Sequence, residues 1–565
     1  MMNQSNSNRL IVRGWRWHLP PKPWRFLFIT VLVIGIFFRF VNLDRKVYWL
    51  DEVINSIHSA GYSKEDVVER VIAWKDKNIT ISDLHKYQYP NLETNSLDVI
   101  RVLATTEPQS PPLYYLFSRW WTQLFGSSVN VQRSLSAFIS LLAFPSMYWL
   151  CWELFGSSLA AWIGVILIAI SPFHLIYAQE VRMYVLWTVT ILVSSASLLR
   201  ATRLQRKRDW VIYAVSLTIS LYTFPLSILV ALAHGIYVAI AEVPNFFKRN
   251  TRSRKTSLQI SKTFLNYFIA SIVSIVAYAP WIVFLFQIDE TKMGAWRQSI
   301  LTFSDLLKYW LIQTSHIFAD INPEYRTVIE KLYDPLNFYP MIFIWAIVLY
   351  SLYFLIRNSP KSIGTFILSL TLTTALALVL PDLILGGRRS TVTRYLIPCY
   401  IGIELCIVNL IYYRIAGRIT TILPKKIWQY MFAVILSLGI ISCSIIYTSQ
   451  SWSNKFFNYQ NVPIAAVINN AENALFISNF DSATKLANLI SISHSIKSKV
   501  TIRLSDKLYL RKSDRNFKNI FLLNPPYEWL NSIEKKNEFE VEKIYRGKAS
   551  DDTTSEFNFS LVRIL

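Results

Sequence analysis

The chain has little cysteine and no framework in what it has. Cys151, Cys399, Cys406 and Cys443 are the only four in 565 residues, and each lies in or beside an apolar run. That excludes a disulfide-stapled domain, and the lack of CxxC spacing excludes a zinc-type cluster. Cys399 and Cys406 share a helical face, which suits a packed helix interface. Internal repeats and low-complexity tracts are also missing, so solenoids and linker-rich chains are excluded. Acidic residues are scarce: 36 Asp and Glu against 58 Lys and Arg, a net charge of +22. Such an excess suits nucleic acid only if it is gathered into a patch. Here many of the cations fall in short stretches between apolar runs, the bias of cytoplasmic loops in membrane proteins, so nucleic acid is not an expected partner.

What is abundant is apolar sequence: 53% of the residues are hydrophobic and 15% aromatic. Several runs approach the roughly 20 apolar residues that cross a bilayer. Eleven spans are predicted, over residues 24–43, 134–155, 158–177, 182–200, 209–223, 226–243, 264–286, 338–356, 363–384, 395–413 and 428–449. The basic N-terminus precedes a long span without a small-residue cleavage site, which reads as an uncleaved start-transfer helix. The basic stretches 200–209, 248–262, 357–361 and 414–426 are placed with that N-terminus in the cytoplasm. The segment PPLYYLFSRWWTQLFG, 111–126, is short and carries Arg119. Crossing there would put every later basic loop on the wrong side, so it is read as an interfacial or re-entrant helix.

The expected fold is therefore mainly α and polytopic. A cytoplasmic tail (1–23) leads into a transmembrane domain (24–449), whose first outer segment (44–133) carries interfacial helices. Residues 450–565 turn polar. NALFIS, KVTIRLS, NIFLLN and FNFSLVRIL read as short strands, and SATKLANLISI and YEWLNSIEKK as helices, which gives a small α/β domain outside the membrane. Trp452 and Tyr459 are placed at the headgroup layer.

Three groups of ionisable residues fall on the outer side. Asp51 and Glu52, in YWLDEV, emerge at the end of the first span. They are either an interfacial charged pair at a helix start or a desolvated pair in which one carboxylate acts as a base. Glu180 and Arg182, in QEVRMY, are either a pair closing a helix hairpin or functional groups, since charge beside apolar helices is costly. Arg388, Arg389 and Arg394 are ordinary loop charge or a phosphate clamp, because guanidinium forks match phosphate oxygens. His174 reads as a packed or interfacial histidine.

YWLDE after the first span, SPPLYYLFSRWWTQLFG followed by Arg133, SPFHLIYAQEVRMYVL and TRYLIP occur in this order. Together they resemble the integral-membrane glycosyltransferases of the GT-C fold. The nearest subgroup is the bacterial relatives of protein O-mannosyltransferases and of the lipid A aminoarabinose transferase. The resemblance spans roughly residues 24–450. It implies a polyprenyl-phosphate sugar donor and transfer, usually with inversion, to an acceptor hydroxyl outside the membrane. It implies Asp51 as general base, Glu52 in support and Glu180 at the second acidic position. Arg182, Arg394, Tyr395 and Arg388 would lie near the donor phosphate, and Glu107, Gln109, Tyr114 and Tyr184 near substrate. The weak cysteine usage and compact loops point to a bacterial plasma membrane.

Two positions depart from the pattern. Gln109 and Ser110 stand where relatives often carry His or Lys. The run Tyr222-Thr223-Phe224-Pro225 lacks a histidine that many relatives have. A Mg²⁺ or Mn²⁺ site on Glu52, Glu107 and Glu180 and metal-free catalysis both stay open. A lipid-linked sugar transporter and a non-catalytic scaffold are the alternatives. No inverted repeat supports the first, and the intact acidic pair with Glu180 and Arg182 counts against the second. The acceptor, a glycan, a lipid or a protein, is not legible, nor is the sugar.

Overall fold

The computed structural model describes residues 17–246, 261–287, 301–322, 332, 334–417, 424–452, 455, 458–480, 482–505, 510–526, 528–531, 540–546 and 560–564. Residues 528–531 of the predicted helix over 527–536 are helical; the rest of that stretch, most of the basic stretch 248–262 and residues 418–423 of the basic stretch 414–426 lie outside the described residues.

Among the described residues, eight helices are long and apolar enough to cross a membrane. They are Lys22–Phe40, Val129–Phe155, Tyr184–Leu204, Lys262–Leu285, Pro335–Asn358, Lys361–Leu385, Thr393–Ile415 and Lys425–Thr448, and each overlaps a predicted span. This is a multi-pass membrane architecture. The elements used below are α1 (Arg25–Phe40), α2 (Leu50–Ala60), α3 (Lys64–Ile72), α4 (Ile81–His85), α5 (Ser96–Thr106), α6 (Leu113–Phe125), α7 (Val129–Leu141), α8 (Ala143–Phe155), α9 (Ser158–Ile170), α10 (Pro172–Ala178), α11 (Tyr184–Leu204), α12 (Lys207–Thr223), α13 (Ser227–Phe246) and α14 (Lys262–Leu285).

The remaining three predicted spans are not full-length straight helices. The segment predicted as one span over 158–177 is α9 and α10, bent by 62°. The cause is local. Pro172 has no N–H to offer Ile168, and Ser171 caps the new helix by accepting from His174 N. The freed carbonyls of α9 are met from outside. Arg39 on α1, buried within the bundle, donates to Ile168 O at 2.9 Å and Ala169 O at 2.6 Å, and the Cys443 thiol donates to Ile170 O at 3.2 Å. Gly35 permits this approach, because a Cβ there would lie 2.6 Å from Ala169 O. Replacing Arg39 with Met is expected to strand two buried carbonyls and lower stability by about 2–3 kcal/mol, read as the unfolding midpoint in detergent. The other two segments are α12, of 17 residues, and α13, whose apolar part is Ser227–Glu242.

The outer segment folds into α2 to α6. The segment 111–126, expected as an interfacial or re-entrant helix, carries α6, which includes Arg119. Arg119 is buried, and its guanidinium donates to Ala60 O at 2.9 Å and to the carbonyl of Thr94. It thereby satisfies the C-terminal carbonyls of α2, which ends at Gly61 in the left-handed conformation (φ 93°).

The C-terminal part forms a sheet of β1 (Asn78–Ile79), β2 (Ala474–Ser478), β3 (Thr501–Leu504), β4 (Asn519–Leu523), β5 (Val541–Arg546) and β6 (Ser560–Ile564). The order is β1-β3-β2-β4-β6-β5, with β3, β2 and β4 parallel and the outer pairs antiparallel. All four predicted strand stretches are present. The edge strand β1 comes from the first outer segment, so residues 450–565 do not build the sheet alone. Trp452 is buried in the protein, and its indole N–H donates to Asp320 Oδ2 at 2.6 Å.

Candidate active site

Asp51 and Glu52 open α2, and its first turn lacks a Ser or Thr cap. Asn458, from the C-terminal part, accepts from Leu50 N at 2.6 Å, and Glu52 reaches back to Trp49 N at 3.4 Å. Negative charge at this end also suits the helix dipole. The two carboxylates, adjacent in sequence, have opposite surroundings.

Glu52 is fully buried and saturated. Its Oε1 accepts from Arg133 Nε at 2.8 Å and Val181 N at 3.0 Å; its Oε2 accepts from Arg133 Nη2 at 2.6 Å and Lys455 Nζ at 3.2 Å. Arg133 is buried too and donates to the carbonyls of Leu43, Lys46 and Val47. Burial alone would raise the Glu52 carboxyl, but Arg133 and Lys455 hold it well below the usual range. With every lone-pair direction used, Glu52 has no capacity left to take a substrate proton. The geometry gives it a bracing role, joining α2 to the turn at Val181.

Asp51 is open by contrast. Its side chain is 19% exposed, and Oδ2 faces Arg182 Nη2 and Arg394 Nη2, each at 3.8 Å. Those separations are too long for hydrogen bonds. The Nε atoms of Arg182 and Arg394 are buried without a hydrogen-bond partner among the described residues. Both guanidiniums lie over the Tyr184 ring, at 5.5 and 5.6 Å, and Arg394 also flanks Tyr395 at 5.7 Å. Phe224, at the position where a histidine was missed, packs on Tyr184 and Tyr395 and extends the aromatic wall. Two cations thus converge on one carboxylate, with donors to spare.

Glu180 lies in the turn between α10 and α11 and is buried. Burial pushes its carboxyl above the usual range, against the pull of Lys455 3.8 Å away. Glu107 is bound to Lys64 at 2.5 Å and to the Gln109 amide, within reach of the charge of Arg182. Burial would raise it, yet Lys64 and His58 bring it below the usual value. No group of three His, Cys, Asp or Glu among the described residues gathers as a metal would need. Glu52, Glu107 and Glu180 therefore do not form one donor set: two share a lysine and the third has another.

The other expected residues separate as well. The Tyr114 hydroxyl pairs with Ser136 at 2.6 Å, so Tyr114 serves the α6–α7 contact. Its neighbour Tyr115 is the ring 6.2 Å from His58. Arg388 lies over Tyr309 at 5.9 Å, whereas Arg394 is the arginine brought to Asp51. His174 is packed, 3.2 Å from Glu404, and ties α10 to the helix following Tyr395.

Sequence reasoning missed Asn55, His58 and Lys455. Asn55 and His58 follow Asp51 at i+4 and i+7 on one face of α2, and the spacing was visible. His58 is buried with neither ring nitrogen bonded among the described residues, and burial lowers its pKa to about 4. Lys455 was invisible, because nothing local in a polar tail marks a residue that returns to a site 403 positions away.

No protein-family model matches the chain. No curated protein matches it either. Among solved structures it is similar to ArnT from Cupriavidus metallidurans bound to undecaprenyl phosphate, at 12% identity and a TM-score of 0.45, over 96% of this chain and 98% of that one. It is similar to the Archaeoglobus fulgidus oligosaccharyltransferase tethered with an acceptor peptide, at 13% identity and a TM-score of 0.40, over 86% and 64%. It is also similar to the arabinosyltransferase EmbB from Mycobacterium smegmatis, at 11% identity and a TM-score of 0.36, over 87% and 42%.

Proposed function

We propose that this chain is a membrane glycosyltransferase that moves a sugar from a polyprenyl-phosphate donor to an acceptor hydroxyl. The observation that carries the reading is the convergence of Arg182 and Arg394 on Asp51. An open carboxylate is a base in waiting, and two guanidiniums with unused donors fit a phosphate. Asp51 takes the proton of the acceptor hydroxyl. The hydroxyl oxygen bonds to the anomeric carbon as the bond from that carbon to the phosphate oxygen breaks. The phosphate leaves with the electron pair, still attached to its lipid, and Arg182 and Arg394 stabilise its charge. Attack opposite the leaving group inverts the anomeric centre. The motif resemblance described above supports the same reading, and a site beside Arg394, at the start of the span Thr393–Ile415, lets the lipid remain in the bilayer. The acceptor is a hydroxyl on a glycan, a lipid or a protein. The chain would act in a bacterial plasma membrane with its N-terminus cytoplasmic.

Binding of sugar-free polyprenyl phosphate to protein in detergent tests the clamp without requiring the right sugar. Arg394→Gln is expected to weaken it about 10- to 100-fold, the size of a lost charge-assisted contact. The donor KM should rise in step. Equal affinity in native and variant protein would remove the arginines from phosphate recognition.

A further inference from the structure

The C-terminal part docks on the site through specific contacts. Val47 N donates to Gln450 O at 2.8 Å, Leu50 N to Asn458 Oδ1 at 2.6 Å, and Ser491 Oγ to Tyr48 O at 2.6 Å. Asn458 is itself held by Asn488 at 3.0 Å, and β1 pairs with β3. These bonds grip the backbone on either side of Trp49, just before Asp51. Between them the chain inserts Lys455, buried, 3.2 Å from Glu52 and 3.8 Å from Glu180, with its ammonium 5.2 Å from the Trp49 ring centre.

Arg133 already compensates Glu52, and Lys455 adds the cation that lies between Glu52 and the buried Glu180. In many enzymes a divalent ion would bridge such a pair. Resting on the glycosyltransferase reading, we propose that Lys455 is the resident cation of this site, so that transfer at Asp51 depends on docking of the C-terminal domain and not on a divalent metal. Lys455 acts as a positioning residue. It joins Glu52, the neighbour of Asp51, to Glu180, which lies two residues before Arg182. The clasp fixes the separation of Asp51 and Arg182, and so of base and clamp. Glu52 strengthens it by accepting from Val181 N on the same turn.

The test uses full-length protein in lipid vesicles supplied with polyprenyl-phosphate sugars and mixed hydroxyl acceptors. Native release of polyprenyl phosphate is expected to stay within about twofold whether millimolar chelator or Mn²⁺ is present, as an internal ammonium requires. Lys455→Met is expected to lower kcat about 100-fold at a nearly unchanged donor KM, the signature of misplaced groups. Its pH profile should shift upward on the acid side. Glu180, which faces Lys455, Glu52, Asp51 and Arg182, would lose the pull of Lys455. Lys455→Arg keeps the charge and should retain activity within about tenfold of native. Loss of native activity on chelation with recovery on Mn²⁺, or Lys455→Met matching native in rate and pH profile, would overturn the inference.

Thermal unfolding gives a readout independent of transfer. Native Tm should be the same in chelator and in Mn²⁺, and a rise specific to Mn²⁺ would overturn the inference. If native protein transfers no sugar from any donor, the glycosyltransferase reading fails while this arm still decides whether a lysine or a metal is the resident cation. If Lys455→Met does not fold, the native and Lys455→Arg arms decide.

Discussion

Replacing Asp51 with asparagine is expected to cut kcat about 10³-fold, within the range removed when a general base is lost. Donor KM should change little, and the unfolding midpoint should stay within a degree or two, because Asp51 is partly exposed and its arginine contacts are 3.8 Å apart. The amide keeps the size of the side chain and cannot accept the proton. The measurement is single-turnover release of polyprenyl phosphate alongside thermal unfolding. A variant equally impaired in folding would mean that Asp51 is structural, as its neighbour is.

Glu52→Gln is expected to behave in the opposite way. The carboxylate is buried between Arg133 and Lys455, and the amide leaves both cations undercompensated. Breaking a buried ion pair from one side costs about 3–5 kcal/mol, so the variant should unfold far below the native midpoint or fail to accumulate. The pH dependence has a definite sign. Glu52 is held below its unfolded value by Arg133 and Lys455. Its contribution is therefore present above the usual carboxylate range and is lost as pH falls below it. Native protein should lose stability in acid, and the glutamine variant should lose less over the same window. A stable Glu52→Gln protein with a native midpoint and poor transfer would instead make Glu52 a catalytic group.

The contrast between these neighbours marks the boundary of what the sequence reveals. The pair at the end of the first span was legible, because charge at an apolar edge is costly. Which member stays open was not, since that depends on Arg133, Lys455 and the turn at Val181, far apart in the chain. The spans were legible from length and composition, and the four strand stretches from short apolar patterns. The bend at Ser171 follows from Pro172 in hindsight, but a proline in an apolar run does not reveal who satisfies the freed carbonyls. Arg39 answers that, and a lone arginine in a span was a visible flag. Arg394 was legible as one of three outer arginines and, with Arg388, through the resemblance; the turn geometry selected it over Arg388. Tyr115 was separated from Tyr114 only by the direction each takes from α6. The edge strand β1, two residues long, carries no sequence signal.

The most direct test of the central claim is release of polyprenyl phosphate by the native chain and by Asp51→Asn, in vesicles offered a panel of polyprenyl-phosphate sugars with mixed hydroxyl acceptors. The account predicts release from at least one donor by the native chain, an inverted anomeric centre in the product, and near-complete loss in the variant. Equal release by both proteins would contradict Asp51 as the base, and transfer with retention at the anomeric carbon would contradict the single displacement.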